Sequence, residues 1–444
     1  MKENILILLE MIGSGGVETA VLNKAIAYKK KGHNVFVAAK RGIYVETLEK
    51  NKIKFIEFEH ELSNDVKLDR LEQMNKIIVD NKITQVHIHQ FPCLIYGGLA
   101  AINNSIPYMV YLHSEKIEVF QWFINCFAAQ KELLKKLVSN AAKIVSITRK
   151  AKETSMEFFN LSEDKYVLEK NSLDFENYVS KRAVKEIKNY LIVSRLAKEK
   201  WDSVKNGIDL FLACADEVGS GVSLKIVGDG NIREDLEKYV EENNVNKYDI
   251  EFCGQSNNVS KYLEDCDLVI GIGRCLLEGI AMKRIVVLSA VDELKDVIVP
   301  KNVDDAIDSN FNGRASYDDK GKKIPDWKSH DIEYLVKKIT KLSTKDIKEI
   351  VDDNYKAIYK RLNIMDNSYV YDGNTPDYKD VKLYLFNYLN KYIEEKTTGE
   401  IATLKASVES LAIELAEKNS ELEAIKNSRV WKLRTKIVKL FGKR

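Results

Sequence analysis

Arg195 and Lys200 stand five residues apart in IVSRLAKEKW, a pairing suited to a diphosphate. An arginine grips two phosphate oxygens in a fork, and a lysine adds a point charge. The same pair also reads as solvated loop charges. Gly13, Gly15 and Gly16 in MIGSGGVETA let the backbone turn tightly and approach a ligand, ahead of a helix whose free N–H groups suit an anion. They do not make the spaced dinucleotide fingerprint, and a plain turn uses the same residues. Gly228 and Gly230 in KIVGDGNIREDLE occupy a comparable turn, as do Gly271, Gly273 and Arg274 in DLVIGIGRCLLEGIAM. Glu278, near the start of the helix that follows, can accept hydrogen bonds from ribose hydroxyls or simply favour the helix dipole. His113, in VYLHSE, is either an active-site group or a structural hydrogen bonder. His87 and His89 in QVHIHQ have the chemistry of metal ligands, but spacing supplies no third ligand, so no metal is expected.

These residues need elements that hold them. NILILLEMI reads as a buried strand, Val17 to Lys31 as a helix, and NVFVAAK and KFIEFE as strands. The helix LDRLEQMNKIIVDNK leads to strands in QVHIHQ, YMVYLH and AKIVSIT. After the polar linker YVSKRAVKEIKN the pattern restarts with YLIVSRL and alternates strand and helix as far as RIVVLSA. Such alternation predicts an α/β chain of two Rossmann-like domains, each a doubly wound parallel sheet with ligands at the carboxyl ends of its strands. The expected domains are residues 1–176 and 189–330, followed by a helical segment over 331–396 that packs partly back on the first domain.

Composition narrows the classes. A chain of 444 residues suits two or three domains. Lys plus Arg is 69 against 67 for Asp plus Glu, so bulk charge argues for no nucleic-acid partner. The six cysteines, Cys93, Cys126, Cys214, Cys253, Cys266 and Cys275, form no C-x-x-C pair and read as reduced thiols of a cytoplasmic protein. The apolar N-terminal run is about half the length that spans a bilayer, and Glu10 interrupts it.

The C-terminal end has its own character. Ile401, Leu404, Val408, Leu411, Leu415, Leu422 and Ile425 sit at heptad a and d positions, with Lys418 breaking the series. This predicts a coiled coil over 400–427 that joins copies of the chain, or else one long solvated helix. Residues 428–444 then give a basic amphipathic helix with Trp431 beside Val430, Leu433, Ile437 and Leu440. That pattern is a membrane-surface signature, here for the cytoplasmic face; a basic tail docked on its own protein is the alternative.

Taken in order, the motifs resemble the family 4 glycosyltransferases with the GT-B fold, of the bacterial cell-surface polysaccharide type. GSGGVET resembles that family's first glycine turn, VHIHQF and VYLHSE its next strand ends, and LEKNSLD its segment before the linker, at Asn171 and Asp174. VSRLAKEK matches its phosphate-binding arginine and lysine, IVGDGNIREDLE its second glycine segment, and LLEGIAM its ribose-binding helix. The resemblance covers residues 4 to 315 and implies retaining transfer of a hexose or related sugar from a nucleotide-diphosphate sugar, with no cofactor. The acceptor would be a glycan or a lipid-linked one. It implies catalytic roles for His113, Arg195 and Lys200, and donor binding by Gly15, Gly16, Gly228, Gly230, Gly273, Arg274, Leu277 and Glu278. The chain also departs from the pattern. The family carries a second glutamate eight residues before the one matched by Glu278, and Ile270 stands there, with Arg274 as a polar substitute. Trp201 and Lys283 replace usual glycines. These departures leave two other readings: an inactive partner that binds acceptor, and a nucleotide-sugar epimerase of the same fold.

Overall fold

The computed structural model describes residues 2–13, 15–60, 66–116, 118, 120–121, 131–256, 258–290, 293–318, 320–390 and 394. The coil and basic helix expected over 400–444 lie outside the described residues, as does Cys126. Residues 1–378 form one compact unit, and a second unit begins at Lys379, with residues 379–390 helical. No helix among the described residues is long and apolar enough to cross a membrane.

The first sheet contains β1 (Asn4–Met11), β2 (Asn34–Lys40), β3 (Lys54–Glu57), β4 (Gln85–Ile88), β5 (Tyr108–Leu112), β6 (Lys143–Ser146) and β7 (Tyr166–Leu168). All its pairings are parallel, in the order β3-β2-β1-β4-β5-β6-β7. Ile5 through Leu9 are fully buried, as a strand covered by helices on both faces must be. The second sheet contains β8 (Asn189–Val193), β9 (Ser223–Val227), β10 (Asp249–Gly254), β11 (Leu268–Gly271), β12 (Ile285–Ser289) and β13 (Leu294–Val297), in the order β10-β9-β8-β11-β12-β13. The fold is thus α/β with two Rossmann-like doubly wound sheets, the GT-B arrangement. Strand order reverses between β1 and β4 and again between β8 and β11. Those two switch points open the crevices where ligands of such sheets bind.

Side chains of the second sheet alternate between two cores. Ile192, Ile226, Leu268 and Ile270 face one core, and Leu191, Val227 and Val269 face the other. Gly207 lets the helix Trp201–Val218 come close to the sheet: a Cβ there would stand 2.9 Å from Ile192 Cδ1 and 3.2 Å from Ile270 Cγ2. Ile270 is therefore a packing residue, wholly buried under that helix.

Three features differ from the sequence reading. β13 pairs antiparallel to β12, because only a short turn separates the two strands, leaving no room for a crossover helix. The helix Leu94–Asn103 and the short strand β7 carried no clear periodic signal. The third concerns 331–396. Helices Ile332–Thr340 and Thr344–Leu362 pack on the second domain, but residues 364–378 are not helical. They run as an extended strap over the first domain. The strap's composition, with Gly373, Pro376 and several Asn and Asp, disfavours helix, and its backbone finds partners on the first domain. Tyr369 N donates to Glu169 Oε2 at 3.2 Å, Tyr371 N donates to Gln85 Oε1 at 3.1 Å, and Tyr369 O accepts from Tyr28 at 2.7 Å.

Candidate functional site

The carboxyl end of β8 carries Arg195 on a loop bonded to the one after β9. Ser194 N donates to Val227 O, Leu196 N to Asp229 O and Ile232 N to Leu196 O. Contact this close excludes side chains. Gly228 (φ +144°) and Gly230 (φ +154°) would each drive a Cβ into backbone, 1.8 Å from Ser194 O and 2.2 Å from Leu196 O. In the free protein these two glycines hold the Arg195 loop in place.

Arg195 itself is 69% exposed and ion-paired to Glu199, one turn further on. Lys200 is more enclosed, at the start of the helix Trp201–Val218. Burial lowers its ammonium pKa, and Arg195 and Arg314 push the same way. Arg314 was not singled out from sequence. It follows Gly313 (φ +69°) in a loop with no periodicity, and its N–H donates to Asn312 Oδ1 at 2.8 Å. Among the described residues neither Lys200 nor Arg314 has an ion-pair partner. Arg195 and Arg314 both lie within electrostatic reach of Lys200, and Glu199 is the carboxylate paired with the first of them.

At the end of β11, Gly273 (φ +74°) caps the helix Arg274–Ala281, with open space where a Cβ would be. Arg274 Nε donates to Glu278 Oε1 at 2.8 Å, and Tyr178 donates to the same oxygen at 3.0 Å. The Arg274 and Glu278 side chains are only 11% and 9% exposed. Leu277 packs in the core, so only its backbone faces other tasks.

In the first domain, Gly15 caps the helix Gly16–Lys30 with no side-chain bond. Glu18 folds back over that end: a Cβ on Gly15 would lie 2.1 Å from Glu18 Oε2. The helix terminus therefore meets an internal carboxylate in the free protein. Burial and the nearby Glu18 raise the Glu10 carboxyl.

His113 lies just past β5, with Nε2 3.1 Å from His89 Nδ1. The His89 ring stacks on Tyr111 at 4.0 Å, and Lys24 Nζ sits 4.3 Å over the Tyr111 ring while pairing with buried Glu169. His87 is held by Gln85 Oε1 at 3.0 Å and the Tyr111 hydroxyl at 3.1 Å. Burial, aided by Lys24, pushes His113 down to about 3, and burial takes His87 and His89 well below their usual range. Near neutral pH His113 is thus an uncharged hydrogen bonder. His89, His113, Lys24, Glu169, Asn171 and Asn367 line a small cavity.

The pKa shift carries a sign. Between about 3 and 6.5 the unfolded chain binds a proton at His113 that the folded chain refuses, so stability is present above about 6.5 and drains as pH falls toward 3. Melting temperatures from pH 7.5 to 4 should drop less steeply in His113→Asn than in the wild type. Equal slopes would mean that His113 is protonated in the fold.

Hydrogen bonds cross between the domains near both groups. Asn312 Nδ2 donates to Glu115 Oε2 and Asn171 Nδ2 to Asn310 Oδ1, each at 3.0 Å, and Lys170 pairs with Asp308 at 2.5 Å. Asn171, singled out from sequence, makes one of these links. Asp174, singled out with it, accepts from Lys30 at 2.6 Å.

The Glycosyltransferase Family 4 model matches residues 14–176, and the Glycosyl transferases group 1 model matches residues 188–309. A Methanocaldococcus jannaschii protein described as an uncharacterized glycosyltransferase is 23% identical over 235 residues, 50% of this chain and 60% of that protein. The chain thus spans less than two thirds of that relative's length. Among solved structures, Anabaena HepE in complex with UDP and glucose aligns with a TM-score of 0.60 at 15% identity, over 82% of this chain and 97% of HepE. A glycosyltransferase from Rickettsia africae aligns at 0.57 with 19% identity, over 82% and 96% of the two chains. A mutant of S. aureus TarM, in complex with fondaparinux, alpha-GlcNAc-glycerol and UDP, aligns at 0.57 with 12% identity, over 82% and 98%. At these identities the structures speak for the fold. With its two domains matched in order by the family models, and on the two-sheet fold of these structures, the chain belongs to the family 4-like glycosyltransferases of the GT-B fold.

Proposed function

We propose that this protein moves a hexose or related sugar from a nucleotide-diphosphate sugar to a glycan or lipid-linked acceptor, in the synthesis of a cell-surface polysaccharide. The observation that carries the reading is Lys200, partly enclosed and with no ion-pair partner among the described residues, beside Arg195 and Arg314 at the carboxyl edge of the second sheet. In such a transfer the bond from the anomeric carbon to the diphosphate oxygen breaks, and negative charge builds on the leaving nucleotide. Fixed cations beside that oxygen lower the barrier, often as the largest single contribution. They do here the work that a divalent metal does elsewhere. Arg195, exposed on its loop, exchanges Glu199 for phosphate when the donor arrives. Neutral His113 contacts the transferred sugar without placing a cation beside its developing positive charge. Retention of configuration follows the family pattern. UDP is the first nucleotide to test, since HepE was crystallised with it. The basic sequence of residues 428–444 supports work at the cytoplasmic face of a membrane, near lipid-linked acceptors, and the heptads before it support a homo-oligomer.

A second reading, a non-catalytic partner, draws on Ile270, which is locked in the core where the family carries a glutamate. Calorimetry with UDP, GDP, dTDP, ADP and CMP separates the two, using wild type, Arg195→Ala and Lys200→Ala. One tight binder, lost in both variants, is the expected result. No binding at millimolar nucleotide would favour the partner.

A further inference from the structure

The guanidinium of Arg274 is half used. Its Nε donates to Glu278, and the Tyr178 hydroxyl lies beside the guanidinium, but among the described residues Nη1 and Nη2 are buried without a hydrogen-bond partner. A buried cation with unmet donors is costly, so proteins rarely leave one without a reason. The terminal nitrogens present a planar fork whose spacing fits two oxygens of one acidic group. The fork's place in the fold gives that group a source. Arg274 opens its helix directly after Gly273, at the carboxyl end of β11, which lies beside β8 at the sheet's switch point. Lys200 lies close enough for its ammonium to act on the thiol of Cys275, the next residue.

We propose that Arg274 is an oxyanion fork of the donor site and that Glu278 and Tyr178 are positioning residues that aim it. The inference rests on the donor reading above and adds to the family pattern. The resemblance implies that Glu278 binds ribose. Here Glu278 Oε1 accepts from Arg274 and from Tyr178, so the carboxylate is also the arginine's counter-ion, and Oε2 is left for the ribose. Buried Tyr178 keeps its proton, because burial and the Glu278 charge both raise its pKa, and it therefore remains a donor. The acidic group taken by the fork is the donor's diphosphate; a carboxylate on the donor's sugar has the same chemistry, and the test separates the two.

The variants are R274K, which keeps a charge beside Glu278 without the fork, R274Q, and the doubly neutral R274Q/E278Q, which leaves no uncompensated buried charge. The probes are UDP, UDP-glucose, UDP-glucuronate and uridine by calorimetry, with inorganic pyrophosphate read as a shift in melting temperature. A diphosphate fork predicts that UDP, UDP-glucose and UDP-glucuronate all weaken by about tenfold or more in all three variants, while uridine binds as before. The pyrophosphate shift seen in the wild type should shrink with them. Weakening confined to UDP-glucuronate would keep the fork and assign it to a sugar carboxylate. Wild-type affinity for every probe in R274K and R274Q/E278Q would overturn the proposal while leaving the donor reading intact. If the wild type binds no nucleotide, the donor reading fails, and the pyrophosphate shift alone then decides whether the fork binds an oxyanion.

Discussion

Lys200→Ala should slow sugar transfer by about a hundredfold to a thousandfold, the usual loss when one fixed donor to a developing anion is removed. The melting temperature should stay near the wild-type value. Among the described residues Lys200 has no ion pair to lose, and its partial burial beside Arg195 and Arg314 disfavours its charge. Removing it relieves that repulsion in the unliganded state and withdraws stabilisation from the transition state. Arg195→Ala should act in the same direction but less strongly, because its guanidinium is 69% exposed and already shared with Glu199. Steady-state kinetics with wild type, both single variants and the double variant would measure the coupling. Lys200→Ala with turnover near wild type would remove the cation cluster from the mechanism.

Gly228→Ala should be the most destabilising small substitution in the second domain, costing about 3 kcal/mol or more. Two penalties act together. The backbone at φ +144° suits an L side chain poorly, and the added Cβ would meet the Ser194 carbonyl oxygen at 1.8 Å, an atom that cannot swing aside as a flexible side chain would. Gly230→Ala meets Leu196 O at 2.2 Å for the same reason. Any relief must come from parting the two loops, which displaces Arg195. The prediction is therefore double: a lower midpoint in urea and, in any population that stays folded, weaker nucleotide binding. Gly16→Ala, with nothing within 4 Å of its Cβ, is the control and should unfold near the wild-type midpoint. A Gly228→Ala midpoint equal to that control would show that the loops are not in contact.

The parts legible in the sequence are those with a periodic or positional signal. Buried parallel strands read as unbroken apolar runs, as Ile5 to Leu9 do, and loops at their carboxyl ends can be located by counting from them. Counting in this way puts Arg195, Lys200, Gly273 and His113 at or just past strand ends from the sequence alone. Pairings over long separations leave no such trace. Tyr178 meets Glu278 across 100 residues, and Gln85 meets Tyr371 across 286. Arg314 lies in a loop whose only local mark is a glycine. The strap over 364–378 was masked by its helical neighbours, since its extended form depends on partners in the other domain. The glycines at 228 and 230 were legible as a motif, but their contact with the Arg195 loop appears only when two strands lie side by side.

A crystal structure of the protein soaked with UDP tests the central claim most directly. The account predicts a diphosphate seated on Lys200 and Arg314 at the end of β8, with Arg195 turned away from Glu199 toward it. UDP bound elsewhere, or the cation cluster left empty in crystals grown at saturating nucleotide, would contradict it.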